Sequence, residues 1–437
     1  MNCMRELSKQ LIEAVKNDLV PSLGVTEPGA IAYAAAAAAR ALGGEVAAVS
    51  VRLSSGIYKN SFTCAVPGTD GMGCALAAAL GAVCGDPDKK LMATEGASPK
   101  QIEEAKRLVR CGKARAELLC VSPDIRIEAE VETENGKAKA VITGRHDHLA
   151  ELTVNGERRA AGESFGGAEE APFKVSSFTF DDILECVEEA EHLGFIEKAV
   201  DMNMALFHEG REAQLIPLTL ARHSSDTAAT ARSLADLFTC GAIEARVRGA
   251  AAPAMAITGS GSHGVLCTLP VYETAVFYGI SARERERALL LSMLVTKYIK
   301  ENSGLLSTAC GCVLAGGTGA CLGITYLYAK SGMGGLCKPE GKELKKALSD
   351  ALNSMAASVT GMICHGGNTG CSLKASAGVN MAFSAAEMAA NGFGAESVHG
   401  ILGSSPEATM RNMGRVARDM LPLEQSILEI MRCKSQK

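Results

Sequence analysis

Tryptophan is missing from this 437-residue chain, and Phe and Tyr supply only 11 and 7 residues. An interior rich in stacked aromatics, as in many β-sandwiches, is therefore excluded. The core must be assembled from Ala, Val, Leu, Ile and Met, which favours closely packed helices. Charge is modest too: charged residues make up 21% and the net charge is -5. That balance gives no general attraction to nucleic acid or to an acidic membrane surface, and no basic patch interleaved with aromatics stands out. Near the N-terminus, Arg5, Glu6, Lys9 and Glu13 interrupt any signal-peptide core. The one serious membrane candidate is residues 302–329, a run without Asp, Glu, Lys or Arg. Its length would span a bilayer, but its glycines, cysteines and hydroxyl residues lower its hydrophobicity. A buried helix is the preferred reading, with no membrane partner.

What is abundant is apolar surface, 47% of residues, and cysteine, sixteen in all. Without a secretion signal those cysteines imply a reducing cytoplasm, where they serve as thiols or metal-cluster ligands rather than disulfides. Cys64, Cys74, Cys84, Cys120, Cys186, Cys240 and Cys267 sit in apolar runs and read as small buried hydrophobes.

The pattern along the chain predicts an α+β protein. Residues 1–172 form a mixed part with antiparallel strands, and residues 173–437 form a larger all-α part packed closely against it. Residues 1–20 read as a helix. Thr26 or Glu27 caps a second, Ala-rich helix, with Pro28 in its first turn. Strands are expected at 45–53 and 61–66, then at 116–119, 125–132 and 137–143, with the Asn135-Gly136 hairpin turn, and at 149–154 and 158–161. Helices are expected at 180–192, 194–208, 213–242, 271–300, 304–330, 342–363, 374–391 and 406–432. The Ala-rich helices suit a homodimer.

Chemistry concentrates in the second half. Cys364-His365-Gly366-Gly367-Asn368-Thr369-Gly370-Cys371 puts two thiols around a Gly-rich turn between helices. Backbone N–H groups of such a turn can converge on thiolate or sulfide. Thr308-Ala309-Cys310-Gly311-Cys312 adds two more thiols upstream. Three cysteines would leave one iron of a four-iron cube open to substrate, whereas four would close it. A zinc site including His365 is an alternative, although the spacing is not that of a zinc knuckle. Gly259-Ser260-Gly261-Ser262-His263-Gly264 could hold a carboxylate at a helix N-terminus. Tyr58-Lys59-Asn60 supplies a cation and an amide, and Thr69 a hydroxyl at a helix start. His146 and His148, two apart on a strand, would share a face.

Taken together, these segments resemble the L-cysteine desulfidase family, which is related to the α-chain of iron–sulfur L-serine dehydratases. The likeness rests on Leu23-Gly24-Val25-Thr26-Glu27-Pro28, Ile57-Tyr58-Lys59-Asn60, Val66-Pro67-Gly68-Thr69, the 259–264 loop, Cys310-Gly311, and Gly361-Met362-Ile363-Cys364 through Cys371. It implies a 4Fe-4S cluster on Cys310, Cys364 and Cys371, with Cys312 the alternative to Cys310. It also implies a lyase that removes the α-proton of a small amino acid and expels hydrogen sulfide or water, leaving pyruvate and ammonia.

Departures from the family pattern fall inside the expected site. Val25 stands where the family has a cysteine. His365 stands in place of an Asp, Asn368 in place of the loop Lys, and Ser262-His263 in place of Asn-Gln. His263 or His365 is therefore expected to act as the base, with Lys59, Asn60, Thr69, Ser260, Ser262 and Asn368 binding substrate. The alternative is a cluster-bearing amino-acid binding or sensing protein without catalysis.

Overall fold

The computed structural model describes residues 2–159, 173–211, 229–332 and 339–435. Helix α1 (Asn2–Lys16) leads through strand β1 (Val20–Leu23) into α2 (Thr26–Leu42). Strand β2 (Ala48–Ser54), α3 (Ser55–Ser61), α4 (Cys74–Cys84) and α5 (Pro99–Arg110) follow. Then come β3 (Ala114–Cys120), β4 (Arg126–Thr133), β5 (Gly136–Thr143), β6 (Leu149–Val154) and β7 (Glu157–Arg159). They form a six-stranded sheet in the order β3-β2-β4-β5-β6-β7, in which only β2 and β3 run parallel. In β4, Ile127, Ala129 and Val131 point into the core and Glu130 and Glu132 to solvent, the period-two pattern of a half-buried strand. The Ala-rich α2 packs on α4 and on β4 and β5, and Ala30–Ala38 are buried.

The second half is helical: α6 (Phe180–Glu189), α7 (Gly194–Glu209), α8 (Ala231–Val247), α9 (Gly261–Phe277) and α10 (Ala282–Ser303). A π-turn, Cys312–Gly317, runs into α11 (Thr318–Ser331), followed by α12 (Gly341–Val359), α13 (Gly370–Ala390), α14 (Pro406–Asp419) and α15 (Leu421–Ser435). The helix at 312–331 is long and apolar enough to cross a membrane, but 94% of its apolar window is buried inside the protein.

Each half has its own apolar core, yet the two are stitched together. Leu11 and Val15 of α1 belong to the helical core. Strand β1 pairs antiparallel with β8 (Pro253–Ala256), joining Val20 to Ala256 and Leu23 to Pro253.

The α+β architecture agrees with the sequence reading, while several local expectations change. Residues 61–66 are not a strand: the chain turns into α3 directly after β2, so Tyr58-Lys59-Asn60 is helical. The expected helix at 271–300 is two helices, broken at Gly279 (φ 63). The part of the expected 213–242 helix before residue 229 lies outside the described residues, as does the 172/173 boundary. His146 and His148 lie beyond the end of β5 in a turn. His146 is buried, and His148 Nδ1 bonds the Thr143 carbonyl at 3.0 Å.

Candidate active site around four thiols

Two chain segments meet at an antiparallel bridge between Ala309 and Ile363. The Cys310 amide donates to the Met362 carbonyl at 2.8 Å, and the Cys364 amide to that of Thr308 at 2.7 Å. In this pairing Cys310 lies opposite Met362, so Cys310 and Cys364 are diagonal neighbours on one face, about 7–8 Å apart at the backbone. Beyond Cys310 the chain winds immediately into the π-turn; the Cys310 carbonyl accepts from Leu314 N at 2.9 Å. Local π geometry of this kind recurs at functional sites.

Cys371 enters from the other side, in the first turn of α13. Asn368 Oδ1 accepts from Gly370 N at 2.9 Å and Asn368 O from Cys371 N at 2.9 Å, which fixes the loop ahead of that helix. Gly366 adopts φ 96, and a Cβ there would fall 2.6 Å from the Lys59 carbonyl; only glycine lets the loop lie this close to α3. Gly367 N donates to the Asn60 carbonyl at 3.2 Å. Val25, Cys64 and Val247 form a small buried cluster against which Cys371 packs. Position 25 therefore does border the thiols, although valine brings no proton there.

Cys310 is the most acidic thiol of the group. The Cys312 thiol donates to it, Lys374 lies nearby, and the amides of Val313 and Cys312 face its sulfur, so its pKa falls well below the ordinary thiol value. Cys312, the donor of that bond, is pushed well up. Burial first, then the neighbouring Cys364 charge, raises Cys371 to about 11. These thiols thus share one electrostatic neighbourhood. Among the described residues, no three His, Cys, Asp or Glu side chains gather on a single point as ligands of one metal ion. A multi-iron cube holds each thiolate on a separate iron and so suits sulfurs that are neighbours without converging. Amide donors at Cys310 also fit the tuning such a cluster needs.

His263 is buried beside this group. Its Nδ1 lies 2.7 Å from Thr258 Oγ1, whose single proton goes to the Ile257 carbonyl at 2.8 Å. With the hydroxyl proton on that carbonyl, Nδ1 is the donor and Nε2 carries the lone pair. A Cβ on Gly311 would lie 2.7 Å from Nε2 and 3.1 Å from Lys300 Nζ, so imidazole and ammonium both face the backbone between Cys310 and Cys312. Burial, followed by Lys300 and Arg246, drives the His263 pKa well down and keeps it neutral. Burial likewise lowers Lys300 to about 8, opposed by the thiols.

The remaining expected residues divide. Asn60 joins the site: its amide nitrogen donates to Glu27 Oε1 at 2.7 Å, and its oxygen accepts from Cys364 Sγ at 3.7 Å. Ser262 is buried there with Arg246 Nη1 at 2.7 Å. Ser260 is the N-cap of α9 but makes no side-chain cap bond. Lys59 borders the site, but its ammonium is committed to Glu424 at 2.7 Å rather than open to a substrate. Thr69 closes its own turn, donating to the Val66 carbonyl at 2.8 Å. His365 is exposed and its ring pairs with Asn368 at 3.2 Å, so it is not gathered with the thiols into a zinc set.

Sequence reasoning missed Arg246 and Lys300, and gave Glu27 only a capping role. Thr26 and Glu27 looked like caps for α2, yet Val25 is the N-cap and neither side chain caps the helix. Both turn inward instead, Thr26 to Arg246 and Glu27 to Asn60. His146 borders a cavity of about 60 Å³ lined also by Asp18, Arg145 and Gly259; neither of its buried ring nitrogens has a partner among the described residues.

A family model described as the serine dehydratase alpha chain matches residues 88–428. Similar proteins include a UPF0597 protein of Clostridium botulinum (strain Okra / Type B1), 35% identical over 431 residues that cover 96% of this chain and 98% of the relative. A UPF0597 protein of Geobacter sulfurreducens is 31% identical over 433 residues, 96% of this chain and 97% of its own. One from Caldanaerobacter subterraneus subsp. tengcongensis is 32% identical over 429 residues, with 96% and 97% covered.

Proposed function

Because the chain belongs to the serine dehydratase alpha-chain family, we propose that it is a lyase that eliminates the β-substituent of a small amino acid, L-cysteine or L-serine. The family match supports serine dehydratase-like chemistry in general; sulfide release in particular rests on the motif resemblance. The observation that carries the reading is the pairing of an unprotonated His263 Nε2 with the thiol-bearing backbone at Gly311.

Cys310, Cys364 and Cys371 would hold a 4Fe-4S cluster, with Cys312 as hydrogen-bond donor to Cys310. Such a cluster, when bound, supplies a Lewis-acidic iron that stabilises charge on the departing sulfur or oxygen. This chain's residues do the rest. His263 Nε2 takes the α-proton, and its Nδ1–H, anchored at Thr258, fixes the ring's tautomer and aim. The electron pair left at Cα forms the Cα–Cβ double bond as the Cβ–S or Cβ–O bond breaks. The leaving group takes that proton back from the His263 imidazolium and departs as hydrogen sulfide or water. The aminoacrylate then hydrolyses to pyruvate and ammonium. Buried Lys300 provides a cation close to the developing negative charge.

The test is anaerobic purification and cluster reconstitution, followed by pyruvate assay over L-cysteine, L-serine and close analogues. Turnover of at least one is expected. A protein with full iron and sulfide content that releases no pyruvate from any of them would leave only a sensing role, in which ligands shift the visible spectrum without reaction.

A further inference from the structure

Arg246, at the C-terminal end of α8, is 3% exposed. Its Nη1 donates to Ser262 Oγ at 2.7 Å and its Nη2 to Thr26 Oγ1 at 3.1 Å, while Nε has no partner. Among the described residues no carboxylate pairs with it. Glu244, two residues back, turns to Arg248 at 2.7 Å, and Glu27, beside Thr26, is bonded to Asn60. A guanidinium cannot shed its proton, and a charge taken out of water is normally retained only when paired.

The two hydroxyls that hold Arg246 carry no charge to balance it, and the nearby Glu27 is bonded to Asn60. Thr26 opens α2 and Ser262 lies in the first turn of α9, so both hydroxyls are neutral groups at the electropositive ends of helices. Gly261 makes room for the fork: a Cβ there would lie 2.6 Å from Nε. The result is a built, buried cation with spare donors and no carboxylate paired to it, bonded to Ser262, the neighbour in sequence of the imidazole that faces the thiols.

We infer that Arg246, propped by Ser262 and Thr26, is the subsite for the substrate's α-carboxylate. The inference rests on reading the thiol-bordered site around His263 as the amino-acid site. A molecule anchored there by its carboxylate turns its α-carbon toward His263 and its β-substituent toward Cys310 and Cys364. The substrate class is thereby narrowed to small acids with a free carboxylate, α-amino or α-hydroxy, and amides and esters are turned away. Arginine fits the role better than lysine because its planar fork can engage both carboxylate oxygens.

L-Alanine, which has the carboxylate and no leaving group, separates binding from turnover. Calorimetric titration of anaerobic wild-type protein should show saturable L-alanine binding and none of L-alaninamide. Arg246→Gln should weaken L-alanine binding by at least about thirtyfold, with the visible absorbance of the loaded protein unchanged. Should that variant not fold, Arg246→Lys and Ser262→Ala, which loosen the fork without burying a new group, should each weaken it several-fold. Equal binding of the amide, undiminished binding by the variants, or no saturable binding of L-alanine, glycolate or L-lactate by the wild type would overturn the subsite. Arg246-dependent binding in a protein that never releases pyruvate would instead leave the subsite standing and remove the lyase reading.

Discussion

Lys59 and Glu424, 365 residues apart along the chain, form an ion pair of 2.7 Å with side chains only 1% and 3% exposed. Thr308 donates to the same carboxylate oxygen at 3.1 Å, so α3, α15 and the strand leading to Cys310 meet at one buried point. Removing one partner strands a charge, whereas removing both need not. Glu424→Gln is expected to cost about 3–5 kcal/mol in urea unfolding. The double change Lys59→Met with Glu424→Leu should recover much of that. A single-variant loss below about 1 kcal/mol, the range of an exposed pair, would show that the pair does not hold the C-terminal helix.

The proposed ligand set takes Cys310 rather than Cys312 because their environments differ. Cys310 receives the Cys312 thiol and backbone amides and ionises readily; Cys312 gives its proton and resists ionisation. Only a thiolate ligates iron. Anaerobically reconstituted Cys310→Ser, Cys364→Ser and Cys371→Ser are expected to lose most of their iron and visible absorbance, whereas Cys312→Ser keeps them. Iron retained in Cys310→Ser but lost in Cys312→Ser would reverse the assignment.

The ordering of legible and hidden features has a physical basis. Strand alternation, the Asn135-Gly136 turn and the helical spacing of the second half are local signals, and the α+β layout followed from them. The thiol motifs were legible as well, because glycines beside cysteines are unusual company for inert core thiols. Arg246 and Lys300 were not. Each lies on a long helix whose sequence reads as ordinary, and their burial depends on contacts made across the fold. Lys59 misled in the opposite sense: its partner Glu424 lies in the last helix, and nothing local announces it.

Glu273 on α9 gives a pH test outside the site. It is 6% exposed, and burial raises its carboxyl from 4.5 to about 7. The folded form then holds its proton more tightly than the unfolded form. Stability from this group is complete below pH 4.5 and declines as pH rises through about 7. Unfolding free energy is expected to fall by about 1–2 kcal/mol from this group across that window, with partial solvent access screening the rest. Glu273→Gln should flatten that slope while leaving stability at pH 4.5 close to that of the parent. An unchanged slope would mean that the carboxyl is solvated in solution.

If His263 is the base, its loss must strike the chemical step rather than binding. His263→Asn keeps a polar side chain of similar reach but cannot take the proton, so kcat should fall by about 10²–10⁴-fold with KM little changed. Thr258→Val leaves the imidazole in place and removes the partner that sets its tautomer; it should lower kcat less, again at nearly constant KM. His365→Gln, altering an exposed ring bonded to Asn368, should behave like the parent. The pH profile supplies an independent sign. Burial, Lys300 and Arg246 hold the His263 pKa well below 6.5, so the unprotonated base persists as pH falls past that value. The acid limb of kcat/KM should therefore lie below pH 6.5. An acid limb that disappears in His365→Gln but survives in His263→Asn would transfer the role to His365, whose pKa partial burial and Lys374 also lower.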